Sequence, residues 1–188
     1  ILQMCVERFA EAGYVLIGMD HFARPDDELA LALNDNTLQR NFQGYSTFAD
    51  TNMLAFGVSS IGFVGNSYYQ SAKDLDSYYN FLDAGQLPIL RGLLLTSDDV
   101  LRREIIQQIM CQFELNYAAV AEKYQLDFAS YFAAELAELP GLAEIGLIHL
   151  HEDGFQVSNK GRFLIRNVAK VFDGYLRANK DTKRYSKV

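Results

Sequence analysis

The chain has 188 residues, of which 49% are hydrophobic and 22% charged, with a net charge of −7. That is the balance of a globular chain with a sizeable core, long enough for one large domain or two small ones. No run of about 18 apolar residues occurs, so no membrane-spanning helix is expected, and no basic stretch leading into an apolar run argues for secretion.

In chain order, Ile1, Leu2, Val6, Phe9 and Ala10 share one side of a helix over 1–12 that Gly13 ends. It opens without a methionine or an N-cap, so the chain is expected to be a piece of something longer. Cys5 in this helix and Cys111 further on fit no metal-ligand spacing. Both are expected as reduced thiols in amphipathic helices, in keeping with a cytoplasmic location. Residues 14–19 read as a buried strand, with Asp20 and His21 just past its end. Pro25 followed by Asp26, Asp27 and Glu28 starts a helix, with acids against the positive end of its dipole, that runs to about Asp35.

Residues 36–52 are polar and loop-like, and 53–61 make the next strand. Strand, helix, long loop, strand is the rhythm of a parallel α/β sheet. Gly57, Gly62 and Gly65 around the second strand would let a ligand approach the backbone, although they match no phosphate-binding or dinucleotide pattern. Ser71 is expected to cap a helix over 72–83 that Gly85 stops. Ile89 to Leu95 is then a short strand or a connector between two parts.

Beyond this point helices dominate. Thr96 and Asp99 form a capping box opening a helix with Leu101, Ile105, Ile109 and Phe113 at helical spacing. Further helices are expected over 117–124 and 127–139, the latter ended by Pro140. Apolar runs on either side of His151-Glu152-Asp153-Gly154 signal a hairpin, and Ser158 can cap a last helix. Helices, hairpin and helix outline a winged-helix-like module. The expected fold class is therefore α/β followed by mostly α, divided into 1–90 and 91–188.

Charge is uneven: residues 160–188 hold nine of the 17 basic residues and two acids. Such a tail suits an anionic partner or a solvated helix face. His149 and His151 would share a strand face, but no carboxylate or cysteine cluster accompanies them, so no metal site is expected. The chemistry concentrates in Arg40-Asn41-Phe42-Gln43-Gly44-Tyr45 and the two apolar runs flanking it. Asp20 and His21 could serve as an acid–base or orienting pair. Arg40 offers a planar fork for an anion, Phe42 a stacking surface, and Gln43 an amide that both donates and accepts.

Gly18-Met19-Asp20-His21-Phe22-Ala23, Arg40-Asn41-Phe42-Gln43-Gly44-Tyr45 and Gly57-Val58-Ser59-Ser60-Ile61 resemble the C-terminal part of oxygen-independent coproporphyrinogen III oxidase, of the radical S-adenosylmethionine family. The resemblance continues through Tyr78-Tyr79, Arg91-Gly92, Arg102-Arg103 and Lys160-Gly161-Arg162. It implies the last strands and helices of a partial (β/α) TIM-like barrel over 1–90 and a helical C-terminal domain over 91–188. The implied activity is oxidative decarboxylation of two propionates of coproporphyrinogen III to vinyls, giving protoporphyrinogen IX. The implied cofactors are a [4Fe-4S] cluster and S-adenosylmethionine, with an electron acceptor of unknown identity.

The family's three-cysteine cluster motif does not occur here, so this portion alone is expected to be inactive and to hold no metal. By resemblance Phe42 and Gln43 are catalytic, Ile61 contacts S-adenosylmethionine, and Asp20, His21 and Arg40 are substrate-binding candidates. The enzyme is expected to be a cytoplasmic monomer with no nucleic-acid or membrane partner, whereas the isolated portion is expected to expose a sheet edge and self-associate. A haem chaperone of the same superfamily is the alternative. Such relatives carry a tyrosine-glutamate-(variable)-serine-asparagine string where this chain has Met19-Asp20-His21. A nucleic-acid-binding winged helix over 97–188, supported by the basic tail, is the alternative from another class.

Overall fold

The computed structural model describes residues 2–49 and 51–178. Ile1 and the end of the basic tail, with Lys180, Lys183, Arg184 and Lys187, lie outside them. In chain order the elements are α1 (Leu2–Glu11), β1 (Val15–Gly18), β2 (His21–Ala23), α2 (Glu28–Asn34), β3 (Gln39–Asn41), β4 (Gly44–Ser46), β5 (Ile61–Val64), β6 (Ser67–Ser71), α3 (Leu75–Asp83), β7 (Ile89–Leu94), α4 (Ser97–Gln112), β8 (Glu114–Asn116), α5 (Tyr117–Tyr124), α6 (Phe128–Tyr131), α7 (Ala133–Leu136), α8 (Leu139–Glu144), β9 (Ile148–His151), β10 (Gly154–Val157), α9 (Asn159–Phe163), α10 (Ile165–Ala169) and α11 (Gly174–Ala178). A single 3-10 turn, Lys170–Phe172, precedes α11. The chain divides into two compact units, 1–47 with 101–188, and 48–100.

The result is a mixed α/β fold with, among the described residues, four small sheets, ordered β1-β2, β3-β4, β5-β6-β7 and β8-β10-β9. Every strand pairing among the described residues is antiparallel, which corrects the parallel sheet expected over 14–61. The cause is local chain reversal. Met19, with φ of 52°, lies in the left-handed region right after β1, and His21–Ala23 runs back along Val15–Gly18. A turn this short can join only antiparallel strands. The polar stretch 36–52 is not a plain loop either, because Arg40 pairs with Tyr45 and Asn41 with Gly44.

The expected strand over 53–61 is mostly loop. Gly57 and Ser59 have φ of 96° and 59°, which breaks extended backbone before β5 begins at Ile61. Ser71 ends β6 instead of capping a helix; Asp74 caps α3 by accepting from the Ser77 amide at 2.8 Å.

The first unit contains the main core. Ile17, Leu38, Ile105, Ile109, Phe132, Phe155 and Phe172 are fully buried there. The capping box at the start of α4 forms as expected: the Thr96 amide donates to Asp99 Oδ2 at 2.8 Å and the Asp99 amide to Thr96 Oγ1 at 3.2 Å. The hairpin β9–β10 and the Ser158 cap also form, the Gly161 amide donating to Ser158 Oγ at 2.9 Å.

The single helix expected over 127–139 is instead broken at Phe132, whose backbone leaves helical geometry while its ring packs against Phe128, Tyr131 and Phe172. Pro140 does not end that helix but sits in the first turn of α8, where its missing N–H costs nothing. Buried Glu135 is held between Arg102 Nη1 at 2.8 Å and Arg177 Nε at 3.3 Å.

The second unit has a thin core. Its buried apolar side chains among the described residues are Ala72 and Leu95, and all six residues of β7 are exposed. Two tyrosine hydroxyls pin the loop before β5: Tyr69 accepts from the Ala55 amide at 3.0 Å and Tyr78 from the Gly57 amide at 3.1 Å. Gly62 makes room for the Tyr69 ring, not for a ligand, since a Cβ there would fall 2.2 Å from the ring.

Candidate functional site

The candidate residues Asp20, His21, Arg40, Phe42 and Gln43 all fall in the first unit, on the β1–β2 and β3–β4 hairpins. Ile61 belongs to the second unit, where it opens the edge strand β5 opposite Gln70 and is partly buried.

The β3–β4 hairpin turns through Phe42 and Gln43. Asn41 sets the turn through its side chain, Oδ1 accepting from the Gln43 amide at 2.8 Å, a local bond that asparagine is suited to make. The tip therefore presents both candidates outward: Phe42 is 57% exposed and Gln43 is exposed. Below the tip the hairpin is fastened to α4. Gln107 Nε2 donates to the Arg40 carbonyl at 2.9 Å and to Gln39 Oε1 at 3.2 Å. The Tyr45 hydroxyl donates to the Met110 carbonyl at 3.1 Å. That carbonyl lies in the last turn of α4, where helical acceptors lack partners of their own.

The β1–β2 hairpin lies against the same tyrosine. His21 meets the Tyr45 ring edge-on, with centroids 5.2 Å apart, and its Nδ1 stands 3.0 Å from Asp20 Oδ1. Both lie just past the end of β1 as expected, Asp20 in the turn and His21 as the first residue of β2. Gly18 is a close-approach position, because a Cβ there would lie 2.3 Å from the Tyr45 hydroxyl oxygen.

Two arginines flank the tyrosine. The guanidinium carbon of Arg40 is 5.5 Å from the Tyr45 ring centroid, and that of Arg162, from α9, is 4.1 Å above the Phe113 ring. Burial, with a smaller push from Cys111, raises the Tyr45 hydroxyl to about 12 against the opposing pull of both guanidiniums. Burial also pushes Arg162 below the usual guanidinium value. The site thus combines an exposed aromatic and amide at a fixed tip, a His–Asp pair and two cations around a neutral tyrosine. Such a set can bind and orient an anionic organic ligand.

Sequence reading gives no site role to Tyr45 or Gln107. Tyr45 was visible as the last residue of the Arg40–Tyr45 string, but nothing in sequence marks Gln107 as the partner of Arg40 across 67 positions of chain.

Residues 95–164 match the family model described as HemN C-terminal domain. The oxygen-independent coproporphyrinogen III oxidase of Salmonella typhimurium is 47% identical over 188 residues, covering 100% of this chain and 41% of that protein. The protein of the same name from Escherichia coli is 46% identical with the same coverage, and that from Thermostichus vulcanus is 46% identical with 58% covered. A solved structure of coproporphyrinogen III oxidase (HemN) from Escherichia coli, described as a radical SAM enzyme, matches with a TM-score of 0.88 and 47% identity. It covers 94% of this chain and 41% of that one.

Residues 95–164 are thus similar to the HemN C-terminal domain. Along its whole length the chain is similar to the oxygen-independent coproporphyrinogen III oxidases, and it spans about two-fifths of the length of the Salmonella and Escherichia proteins.

Proposed function

We propose that the chain is the C-terminal part of an oxygen-independent coproporphyrinogen III oxidase, a cytoplasmic, monomeric enzyme acting without nucleic acid or membrane. The whole enzyme takes two propionates of coproporphyrinogen III to vinyls with loss of carbon dioxide, giving protoporphyrinogen IX, and an electron acceptor completes the reaction. The observation that carries this reading is the outward-facing Phe42–Gln43 tip, fastened to α4 beside His21, in a chain whose relatives bear that enzyme's name.

A [4Fe-4S] cluster and S-adenosylmethionine supply the radical chemistry when bound. The residues of this chain do not fit the cluster. Cys111 is buried and its thiol is pushed up to about 12 by burial, far from the thiolate a cluster needs. Among the described residues no group of three or more His, Cys, Asp and Glu could hold a metal ion. Cluster ligation therefore falls to residues elsewhere in the proposed enzyme.

The residues do fit an organic ligand. The Phe42 ring covers apolar surface and keeps water out, and the Gln43 amide fixes the ligand's orientation. Ile61 contributes an apolar wall to S-adenosylmethionine, while Asp20, His21 and Arg40 receive the substrate. In architecture, residues 1–90 supply the closing part of a partial barrel. A winged-helix-like domain follows over 91–188, a reading supported by the three-stranded β8-β10-β9 sheet within a helical segment.

The test is anaerobic conversion of coproporphyrinogen III by the full-length enzyme and its Phe42→Ala and Gln43→Ala variants. Each variant is expected to lose at least about tenfold in kcat/KM, the loss of one good orienting contact. Wild-type activity on both variants, or a wild-type enzyme that leaves coproporphyrinogen III unchanged, would reject the proposal.

A further inference from the structure

Arg40 on β3 stands against the Tyr45 ring and Arg162 on α9 against the Phe113 ring, both acting electrostatically on Tyr45, and neither guanidinium has a carboxylate partner among the described residues. Arg40 Nη1 donates to its neighbour's carbonyl, on Asn41, at 3.4 Å, and Arg162 Nη2 to the Leu16 carbonyl at 3.3 Å. The Nε atoms of both are buried and without a hydrogen-bond partner. Both side chains are partly buried, in a chain carrying 24 acidic residues that could have supplied a counter-ion. Two partly desolvated cations with no anion between them are costly, and a bidentate carboxylate is the partner a guanidinium fork fits best. Arg177 Nε is likewise buried without a hydrogen bond, and the contrast lies in the counter-ion: Arg102 and Arg177 both reach the Glu135 carboxylate.

We propose that Arg40 and Arg162 form a carboxylate-binding site beside Tyr45, adjoining the His21 ring and the Phe42–Gln43 hairpin. This rests on the function proposed above, and it names the group of the ligand that the site receives. A ligand carboxylate received between the two forks would supply the anion that both guanidiniums lack. The neutral Tyr45 hydroxyl adds no competing charge. Two ligands of the proposed reaction carry carboxylates, the propionates of the tetrapyrrole and the amino-acid end of S-adenosylmethionine.

The experiment uses full-length enzyme with Arg162→Gln and Arg40→Gln, measuring KM separately for coproporphyrinogen III and for S-adenosylmethionine. A second readout without turnover compares fluorescence-monitored binding of coproporphyrin III with that of its tetramethyl ester. A propionate in the site predicts a rise of at least about tenfold in tetrapyrrole KM, with S-adenosylmethionine KM unchanged. It also predicts a smaller preference for acid over ester.

A rise in S-adenosylmethionine KM alone would support the site and assign it the cofactor's carboxylate. Unchanged KM for both ligands together with an unchanged acid-over-ester preference would overturn it. Should Arg162→Gln fail to fold, Arg162→Lys, which keeps the charge but loses the fork, carries the same readouts. A wild-type enzyme that binds acid over ester but converts nothing would sink the proposed function and leave the arginine pair to be judged by the binding measurement.

Discussion

Gly18→Ala is the sharpest probe of how the two hairpins fit together. The added methyl would sit 2.3 Å from the Tyr45 hydroxyl oxygen, 2.8 Å from its ring carbon Cζ and 3.2 Å from Phe113 Cζ. Tyr45 has little room to yield, being 9% exposed, bonded to the Met110 carbonyl and edge-on to His21. Overpacking of this kind costs about 1–3 kcal/mol, and breaking the buried hydroxyl–carbonyl bond adds about 1 kcal/mol. At this chain length each kcal/mol lowers the melting temperature by about 2–4 °C, so a fall of about 5–15 °C is expected. The assay is thermal unfolding followed by circular dichroism on wild type, Gly18→Ala, Tyr45→Phe and the double variant. Tyr45→Phe removes the oxygen but keeps Cζ, so it should relieve only part of the clash. The two changes should therefore be coupled by about 0.5–2 kcal/mol. A Gly18→Ala protein as stable as wild type, or strict additivity in the cycle, would refute this account of the packing.

Cys5 is partly exposed and Cys111 is buried with its thiol raised to about 12, so an aromatic disulfide reagent at pH 8 should titrate one thiol quickly in the native chain and both after denaturation. Two equal fast rates would contradict the buried assignment. Burial raises Tyr45 and Tyr117 to about 12 from an ordinary 10, and Cys111 to about 12 from 9. A folded value above the unfolded one means stability is intact below about pH 9 and falls as pH rises toward 12. The urea midpoint should drop across that window, and less steeply in Tyr45→Phe; a midpoint that stays level would count against it. Gln107→Leu strips the Arg40 carbonyl and Gln39 of a donor and should cost about 1 kcal/mol while lowering turnover of the full-length enzyme. The exposed edge strand β7, with Leu94 at 74% and Leu90 at 54% exposure, should drive association of the 188-residue chain at high concentration. Sedimentation should show Leu94→Lys shifting it toward monomer, and a monomeric wild type would end that expectation.

Much of the helical half was legible because its signals are local. Thr96 with Asp99, Asp153-Gly154 and Ser158 each declare a boundary within four residues and each boundary forms, although the last helix expected after Ser158 is broken into α9, α10, a 3-10 turn and α11. The first 70 residues were harder to read. Their short apolar runs suit parallel or antiparallel strands equally, and the deciding events are single-residue departures such as the left-handed Met19 and Ser59, which composition does not announce. The hairpin around Phe42 hid in a polar stretch because its turn depends on the Asn41 side chain and its strands are three residues each. The candidate site was partly visible as strings of unusual residues. Its arrangement was not, since Gln107, Met110 and Arg162 reach it from distant elements.

The first unit is interrupted in sequence, and that has a consequence for its assembly. The contact between Tyr45 and Met110 closes over 65 positions, and that between Arg162 and Leu16 over 146. During synthesis the intervening 48–100 segment emerges whole before the helix that secures the Phe42 tip exists. The β1–β2 and β3–β4 hairpins must therefore wait for these contacts, and the ribosome has to pass α9 before Arg162 can reach Leu16.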